Sequence, residues 1–285
     1  MAYRDLREFL KILERENQLI RIKEEVMPEP DIAAIGKSAP DLNNGPAVMV
    51  ENIKGYNNSV VLNVHGSWKN SALMMGLPKN TSVKDQFFEL DKRWSKYPVK
   101  PIWVDDAPVK EMKITKDINV FDIMPLFRVN KYDGGFYLSK ALTVTRDPDD
   151  PDNFEKQNAG TYRIQVKGRD LLGIQPLQFH DIAEQRNEKL PVAICIGNDP
   201  VLNLMASTPI EYAQSEYEFA GALKGEPIEL TKSENGNLDI PARSEIVLEG
   251  YIIPRSRKIE GPFGEFPGSY SGARLQPEIK ITTIT

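Results

Sequence analysis

The feature that most constrains this chain is a switch in hydrophobic period at Pro98-Val99-Lys100-Pro101, a segment that reads as a linker. Ahead of it, apolar residues recur at helical spacing. Leu6, Phe9, Leu10 and Leu13 stand at i, i+3, i+4 and i+7 with charged residues between them, the pattern of an amphipathic helix. Beyond the linker the pattern turns towards strands, expected at 138–146, 161–167, 171–175, 192–197, 228–230, 245–253 and 279–284. Short helices are expected among them at 180–186 and 216–224. The fold class that follows is α+β: an N-terminal α+β domain over residues 1–112, then a mostly β domain of barrel type over residues 113–285.

Inside the first domain, residues 18–23 alternate as a strand, and Pro28 and Pro30 break the chain. Residues 46–53 and 59–64 read as two strands joined across the turn-forming Gly55-Tyr56-Asn57-Asn58. A helix over 67–75 should stop at Gly76 and Pro78. Another should begin at Ser82, where Asp85 three residues on resembles a capping box, with Val83, Phe87, Leu90 and Trp94 on one face. The chain closes on Ile279-Lys280-Ile281-Thr282-Thr283-Ile284-Thr285, a strand-like alternation with no turn or cap after it. That ending reads as a truncated or split chain, or as a terminal strand docked in a sheet.

Composition removes several classes. With 36 basic against 41 acidic residues, net charge −5, the chain has no dense basic stripe for nucleic acid. Cys195 is the single cysteine, so no intrachain disulfide exists, and its apolar surroundings mark it as a buried, inert thiol. The charged N-terminus has no apolar signal core, and no apolar run approaches the ~20 residues that span a bilayer. The expected location is the cytoplasm, with no membrane partner.

Three segments combine reactive side chains with special backbone residues. In Gln157-Asn158-Ala159-Gly160-Thr161-Tyr162-Arg163 a carboxamide and a guanidinium stand five apart, on opposite faces of a regular strand. Gly160 would permit a bend that lets both address one ligand; the plain alternative is a strand with a surface arginine. Gln178-Phe179-His180-Asp181 carries one of two histidines, and Glu216 follows downstream. Asn158, His180 and Glu216 together offer amide oxygen, imidazole and carboxylate, a set suited to Mn2+ or Mg2+, although a lone histidine is more often structural. Glu260-Gly261-Pro262-Phe263-Gly264-Glu265-Phe266 places two carboxylates on a Gly/Pro-bent stretch, between Phe263 and Phe266, which should seek burial. Such a pair can divide into proton carrier and charge partner; an exposed loop with solvated charges is the alternative.

Four ordered motifs then carry a resemblance over the whole chain. Asn158-Ala159-Gly160-Thr161-Tyr162-Arg163, Ser215-Glu216-Tyr217-Glu218-Phe219-Ala220-Gly221-Ala222-Leu223, Glu245-Ile246-Val247-Leu248-Glu249-Gly250 and Glu260-Gly261-Pro262-Phe263-Gly264-Glu265 resemble, in order, those of UbiD-type decarboxylases. The opening Tyr3-Arg4-Asp5-Leu6-Arg7-Glu8-Phe9-Leu10 also fits. Asn63-Val64-His65-Gly66-Ser67-Trp68 and Asp133-Gly134-Gly135-Phe136-Tyr137-Leu138 point to the non-oxidative hydroxyarylic acid branch, which acts on 4-hydroxybenzoate and vanillate. The resemblance implies a flavin-reductase-like split β-barrel as second domain, prenylated FMN and Mn2+ as cofactors, and often K+. It implies metal ligands Asn158, His180 and Glu216, and a cofactor-binding set of those three with Thr161, Tyr162, Arg163, Phe179 and Pro209. The catalytic network would be Arg163, Glu260 and Glu265, with Glu265 as proton donor. The implied partners are a small aromatic acid, a flavin prenyltransferase subunit that supplies the cofactor, and further copies of the full-length chain. Family members continue into a C-terminal domain that this sequence lacks. A flavin-binding protein without decarboxylase chemistry and an assembly subunit or inactive fragment are the rival readings.

Overall fold

The computed structural model describes residues 3–235 and 238–285. Helix α1 (Leu6–Arg15) forms where the periodicity placed it; Asp5 caps it by accepting from the Glu8 N–H, and Phe9, Leu10 and Leu13 are buried. Strand β1 (Leu19–Ile22) is joined by α2 (Asp31–Ser38) to a parallel partner, β2 (Ala47–Val50), and β3 (Val60–Leu62) pairs antiparallel with β2. The helix α2 is absent from the sequence reading because Pro28 and Pro30 look like breakers, whereas Pro30 stands at its N-cap. Helices α3 (Trp68–Met74) and α4 (Val83–Trp94) begin at Ser67 and Ser82, whose hydroxyls accept from the N–H groups of Asn70 and Asp85. The apolar stripe expected on α4 is buried only over its second half. Leu90 and Trp94 pack on the core, while Val83 and Phe87 are 38% and 56% exposed. Gln86 takes the buried position between them, because its amide satisfies the carbonyls of Trp68 and Thr81.

After β4 (Ile102–Trp103) and α5 (Val120–Ile123) come β5 (Tyr137–Leu138), β6 (Leu142–Arg146), β7 (Gln157–Thr161), β8 (Ile164–Val166) and β9 (Leu171–Ile174). Next are α6 (His180–Arg186), β10 (Leu190–Ile196), α7 (Pro200–Met205) and α8 (Glu216–Lys224), then β11 (Glu229–Lys232), β12 (Asp239–Pro241) and β13 (Ile246–Glu260). The chain closes with β14 (Phe263–Gly264), β15 (Tyr270–Ser271) and β16 (Arg274–Ile284). Eight strands form one antiparallel, curled half-barrel sheet in the order β5-β8-β9-β16-β13-β10-β6-β7. The terminal alternation is thus an interior strand, β16, paired on both sides.

Period-two alternation sorts the sheet's side chains to two cores. On β10, Ala193 and Cys195 join Leu142, Val144 and Val247 in a cluster shared with Phe9 and Leu13 of α1. Leu190, Val192 and Ile194 join Ile164, Leu172, Leu248, Ile279 and Ile281 in the other. Cys195 is fully buried, and burial pushes its thiol above its ordinary range, so it is unsuited to nucleophilic work. A register shift at Glu249/Gly250 bends the long β13–β16 pair. Glycine is required there, since a Cβ on Gly250 would lie 1.9 Å from the Lys280 carbonyl oxygen.

Candidate active site

Strands β7 and β8 are interrupted at Tyr162 and Arg163, and this interruption builds both halves of the site. The bend falls there and not at Gly160. Gly160 instead makes room for a ring: a Cβ on it would stand 2.7 Å from a ring carbon of Tyr162. Arg163 leaves the sheet towards the end of β13. Its side chain is 9% exposed; Nη2 donates to Glu260 Oε2 at 2.8 Å, and Nη1 donates to Glu265 Oε1 and, at 2.6 Å, to Ser271 Oγ. The structure therefore brings together Arg163, Glu260 and Glu265, three residues spread over more than 100 positions.

The two carboxylates are not equivalent. Glu260 is fully buried, and its second oxygen accepts from the Tyr137 hydroxyl at 2.9 Å. Glu265 keeps 35% of its side chain exposed. Of the two expected flanking rings, Phe263 is 9% exposed and lies 5.3 Å beneath the Arg163 guanidinium. Phe266 is fully exposed, contrary to expectation, because it sits on the turn where Gly268 N–H closes back on the Glu265 carbonyl.

The segment before β5 clamps this carboxylate loop. Gly134 N–H donates to the Pro262 carbonyl at 2.7 Å, and Gly264 N–H donates to Asp133 at 2.8 Å. A Cβ on Gly134 would meet the Gly261 carbonyl oxygen at 2.1 Å. Gly134→Ala is therefore expected to push the loop off Arg163, lowering stability by ~1–3 kcal/mol as overpacking does and lowering turnover more than stability alone explains. Thermal unfolding and steady-state rates of that variant check it; unchanged rates would show the clamp to be dispensable.

The second half is a cleft of about 580 Å3, in the range of cofactor sites. Asn158, Thr161, Tyr162, Phe179, Pro209 and Glu216 line it, whereas Arg163 and His180 do not. Helix α8 is buried along its length and presents Glu216 at its first turn, where Oε2 accepts from the Ala159 N–H at 3.3 Å. Burial raises the Glu216 carboxyl to about 7, opposed only by backbone donors. Asn158 Nδ2 donates to the Tyr162 hydroxyl at 3.3 Å, which turns its amide oxygen away from that contact. Thr161 N–H donates to the Ala206 carbonyl at 2.8 Å, tying β7 to the wall after α7. Phe179 sits at φ +72°, a left-handed conformation unusual for a bulky residue, and one that function often retains.

His180 opens α6 and is 2% exposed; Nδ1 lies 3.2 Å from Asp181, and Nε2 is buried with no partner among the described residues. His180, Asp181 and Glu184 form a group whose ligand atoms lie within 4.8 Å of one another. Glu184 is already held by Arg257 at 2.6 Å and Asp181 is 85% exposed, which leaves His180 the buried donor of that group. An imidazole nitrogen on α6 and, in the cleft, an amide oxygen and a carboxylate that has no cation partner among the described residues are donor types suited to a divalent ion beside an anionic cofactor.

Comparison with known proteins settles the family. The domain described as "3-octaprenyl-4-hydroxybenzoate carboxy-lyase Rift-related domain" matches residues 101–285, and the N-terminal domain of the same carboxy-lyase matches residues 10–90. The chain belongs to the UbiD family. It is 62% identical over 295 residues to a phenolic acid decarboxylase of Sedimentibacter hydroxybenzoicus and 53% identical over 292 residues to one of Bacillus subtilis, covering all of this chain and 62% of each relative. The vanillic acid decarboxylase of S. hydroxybenzoicus in closed form superimposes with a TM-score of 0.98 at 60% identity, again over 100% of this chain and 62% of that one. The UbiD-class enzyme HmfF of Pelotomaculum thermopropionicum, in complex with prFMN, gives 0.90 at 34% identity over 99% of this chain and 65% of that one. The chain thus spans 62% of the length of the curated relatives it matches. Among the described residues, no helix is long and apolar enough to cross a membrane.

Three contributors escaped the sequence reading: Tyr137 on Glu260, Ser271 on Arg163 and Asp133 on the carboxylate loop. Asp133 and Tyr137 sit in a motif that carried family likeness but no chemical signal. Nothing local marks Ser271.

Proposed function

We propose that the protein containing this chain decarboxylates a hydroxylated aromatic acid of the 4-hydroxybenzoate or vanillate type, reversibly and without net oxidation, to the phenol and CO2. The observation that carries this reading is one arginine gripping two carboxylates of unequal exposure. Simple flavin binding needs no such network. Loss of CO2 leaves an electron pair on carbon, and prenylated FMN, when bound, supplies the electron sink that side chains lack.

The chain's own residues do the rest. Asn158, His180 and Glu216 would hold a divalent cation, Mn2+ with K+ as a further ion, which would neutralise an anionic cofactor, and Thr161, Tyr162, Phe179 and Pro209 would contact the flavin. Arg163 offers charge to the substrate carboxylate. Glu260 has both oxygens engaged and serves as a fixed charge partner. Glu265 has one oxygen on Arg163 and the greater exposure, so it is the carboxyl positioned to pass a proton to the carbon that loses CO2. A flavin prenyltransferase is the activity required to supply the cofactor. The test is to load the purified protein with prenylated FMN and Mn2+, follow the flavin absorbance, then add 4-hydroxybenzoate or vanillate and measure CO2. Flavin uptake without CO2 from any hydroxylated aromatic acid would leave a binding protein instead.

A further inference from the structure

On the decarboxylase reading above, the two glutamates must take different roles, yet Arg163 bonds one oxygen of each and cannot by itself separate them. Tyr137 does separate them. It lies on the two-residue strand β5, in register opposite Gln165, two positions past Arg163 on the neighbouring strand. Its ring is 5% exposed and packs 4.6 Å from Phe263, the same ring that carries the guanidinium. Its hydroxyl is 2.9 Å from Glu260 Oε1 and 3.4 Å from the Pro262 carbonyl oxygen. Both neighbours are acceptors when Glu260 is ionised, so the single hydroxyl proton goes to the nearer, charged one.

We propose that Tyr137 is a positioning residue for decarboxylation: its hydroxyl fixes Glu260 as the partner of Arg163 and so leaves Glu265 as the carboxyl that meets the substrate. Burial and the adjacent Glu260 push the phenol above its ordinary range, so it stays a donor throughout the working pH range. The backbone on either side of Glu260 is held independently. Lys167 bonds the Ile259 carbonyl, and Gly261 N–H donates to Gln165 Oε1 at 3.2 Å. Removing the hydroxyl therefore releases Oε1 of Glu260, leaves Arg163 its only side-chain anchor among the described residues, and keeps the loop in place.

Tyr137→Phe should lower kcat by about 10-fold or more, since a charged hydrogen bond is worth roughly 1.5–3 kcal/mol, with KM nearly unchanged and the melting temperature close to wild type. The deciding readout is a double-variant cycle with Glu260→Gln. If Tyr137 acts through Glu260, the double variant is no slower than Glu260→Gln alone; losses that multiply, or a wild-type kcat in Tyr137→Phe, overturn the inference. Where the phenylalanine variant folds poorly, para-fluorophenylalanine at position 137 fills the hydroxyl's volume without donating and is read the same way. Crystal structures of wild type and variant without cofactor form a separate arm, in which Glu260 should leave Arg163 only in the variant. Should the loaded wild-type protein decarboxylate no aromatic acid, the functional reading fails, while a Glu260 that stays put would still sink the role assigned to Tyr137.

Discussion

Glu265→Gln is expected to lower decarboxylation by about 10²–10⁴-fold, the contribution of a positioned proton donor, and to stop solvent deuterium entering the product phenol. Glutamine is nearly isosteric and its amide oxygen can still accept from Arg163 Nη1, so the network keeps its shape. What is lost, on the proposed role, is the proton that Glu265 would pass to the substrate carbon. Cofactor binding should survive, because the cleft is built by β7, Phe179, the 206–214 segment and the head of α8, and Glu265 takes no part in it. Gel filtration of the loaded variant and proton NMR of product formed in D2O check both halves. Substantial deuterium exchange in this variant would move the proton-donor role to Glu260.

Glu216→Gln should act in opposite directions on stability and on cofactor retention. In the cation-free protein the Glu216 carboxyl titrates near 7, raised by burial. The unfolded chain ionises near pH ~4.3. Below that pH both states hold the proton and burial carries no ionisation penalty. Between the two values the unfolded state loses its proton while the folded state keeps it, so stability falls as pH rises, and the loss is complete above about 7. The full amplitude is roughly 4 kcal/mol. Glutamine cannot ionise, so the metal-free variant should be the more stable protein at pH 8 and equal to wild type at pH 4. On the proposed metal role it should also lose Mn2+-dependent flavin retention, because the carboxylate that would neutralise the ion is gone. Denaturant unfolding in chelator at the two pH values, followed by flavin retention with and without Mn2+, separates the effects. Parallel pH dependences for the two proteins would place the buried charge elsewhere.

The parts of the fold legible in the sequence are those whose signal is local. The helices expected over 180–186 and 216–224 are short local segments, and the structure has them at those bounds. The Ser82 cap is a three-residue signal and reads directly. The misses arise where a residue has two meanings. Pro30 is a breaker in isolation and a helix start in α2. Pro200 likewise opens α7, which was unmarked. The expected strand over 161–167 is two strands, because Tyr162 and Arg163 leave the ladder to serve the cleft and the carboxylate network.

At the site, family likeness named Arg163, Glu260 and Glu265, but spacing alone could not show that they meet. Tyr137 reaches Glu260 across 123 residues, and no periodicity encodes such a contact. Phe266 illustrates the converse. An aromatic residue beside a carboxylate suggests burial, yet the turn closed by Gly268 holds it in solvent.

The most direct test of the account is single-turnover CO2 release. The protein, purified from its native host and loaded with prenylated FMN and Mn2+, is mixed with 4-hydroxybenzoate or vanillate, and CO2 and phenol are counted per bound flavin. The account predicts one CO2 and one phenol per flavin in wild type, and neither above background in Glu265→Gln with flavin still bound. Full flavin occupancy with no CO2 from either acid, or equal release by both proteins, would contradict it.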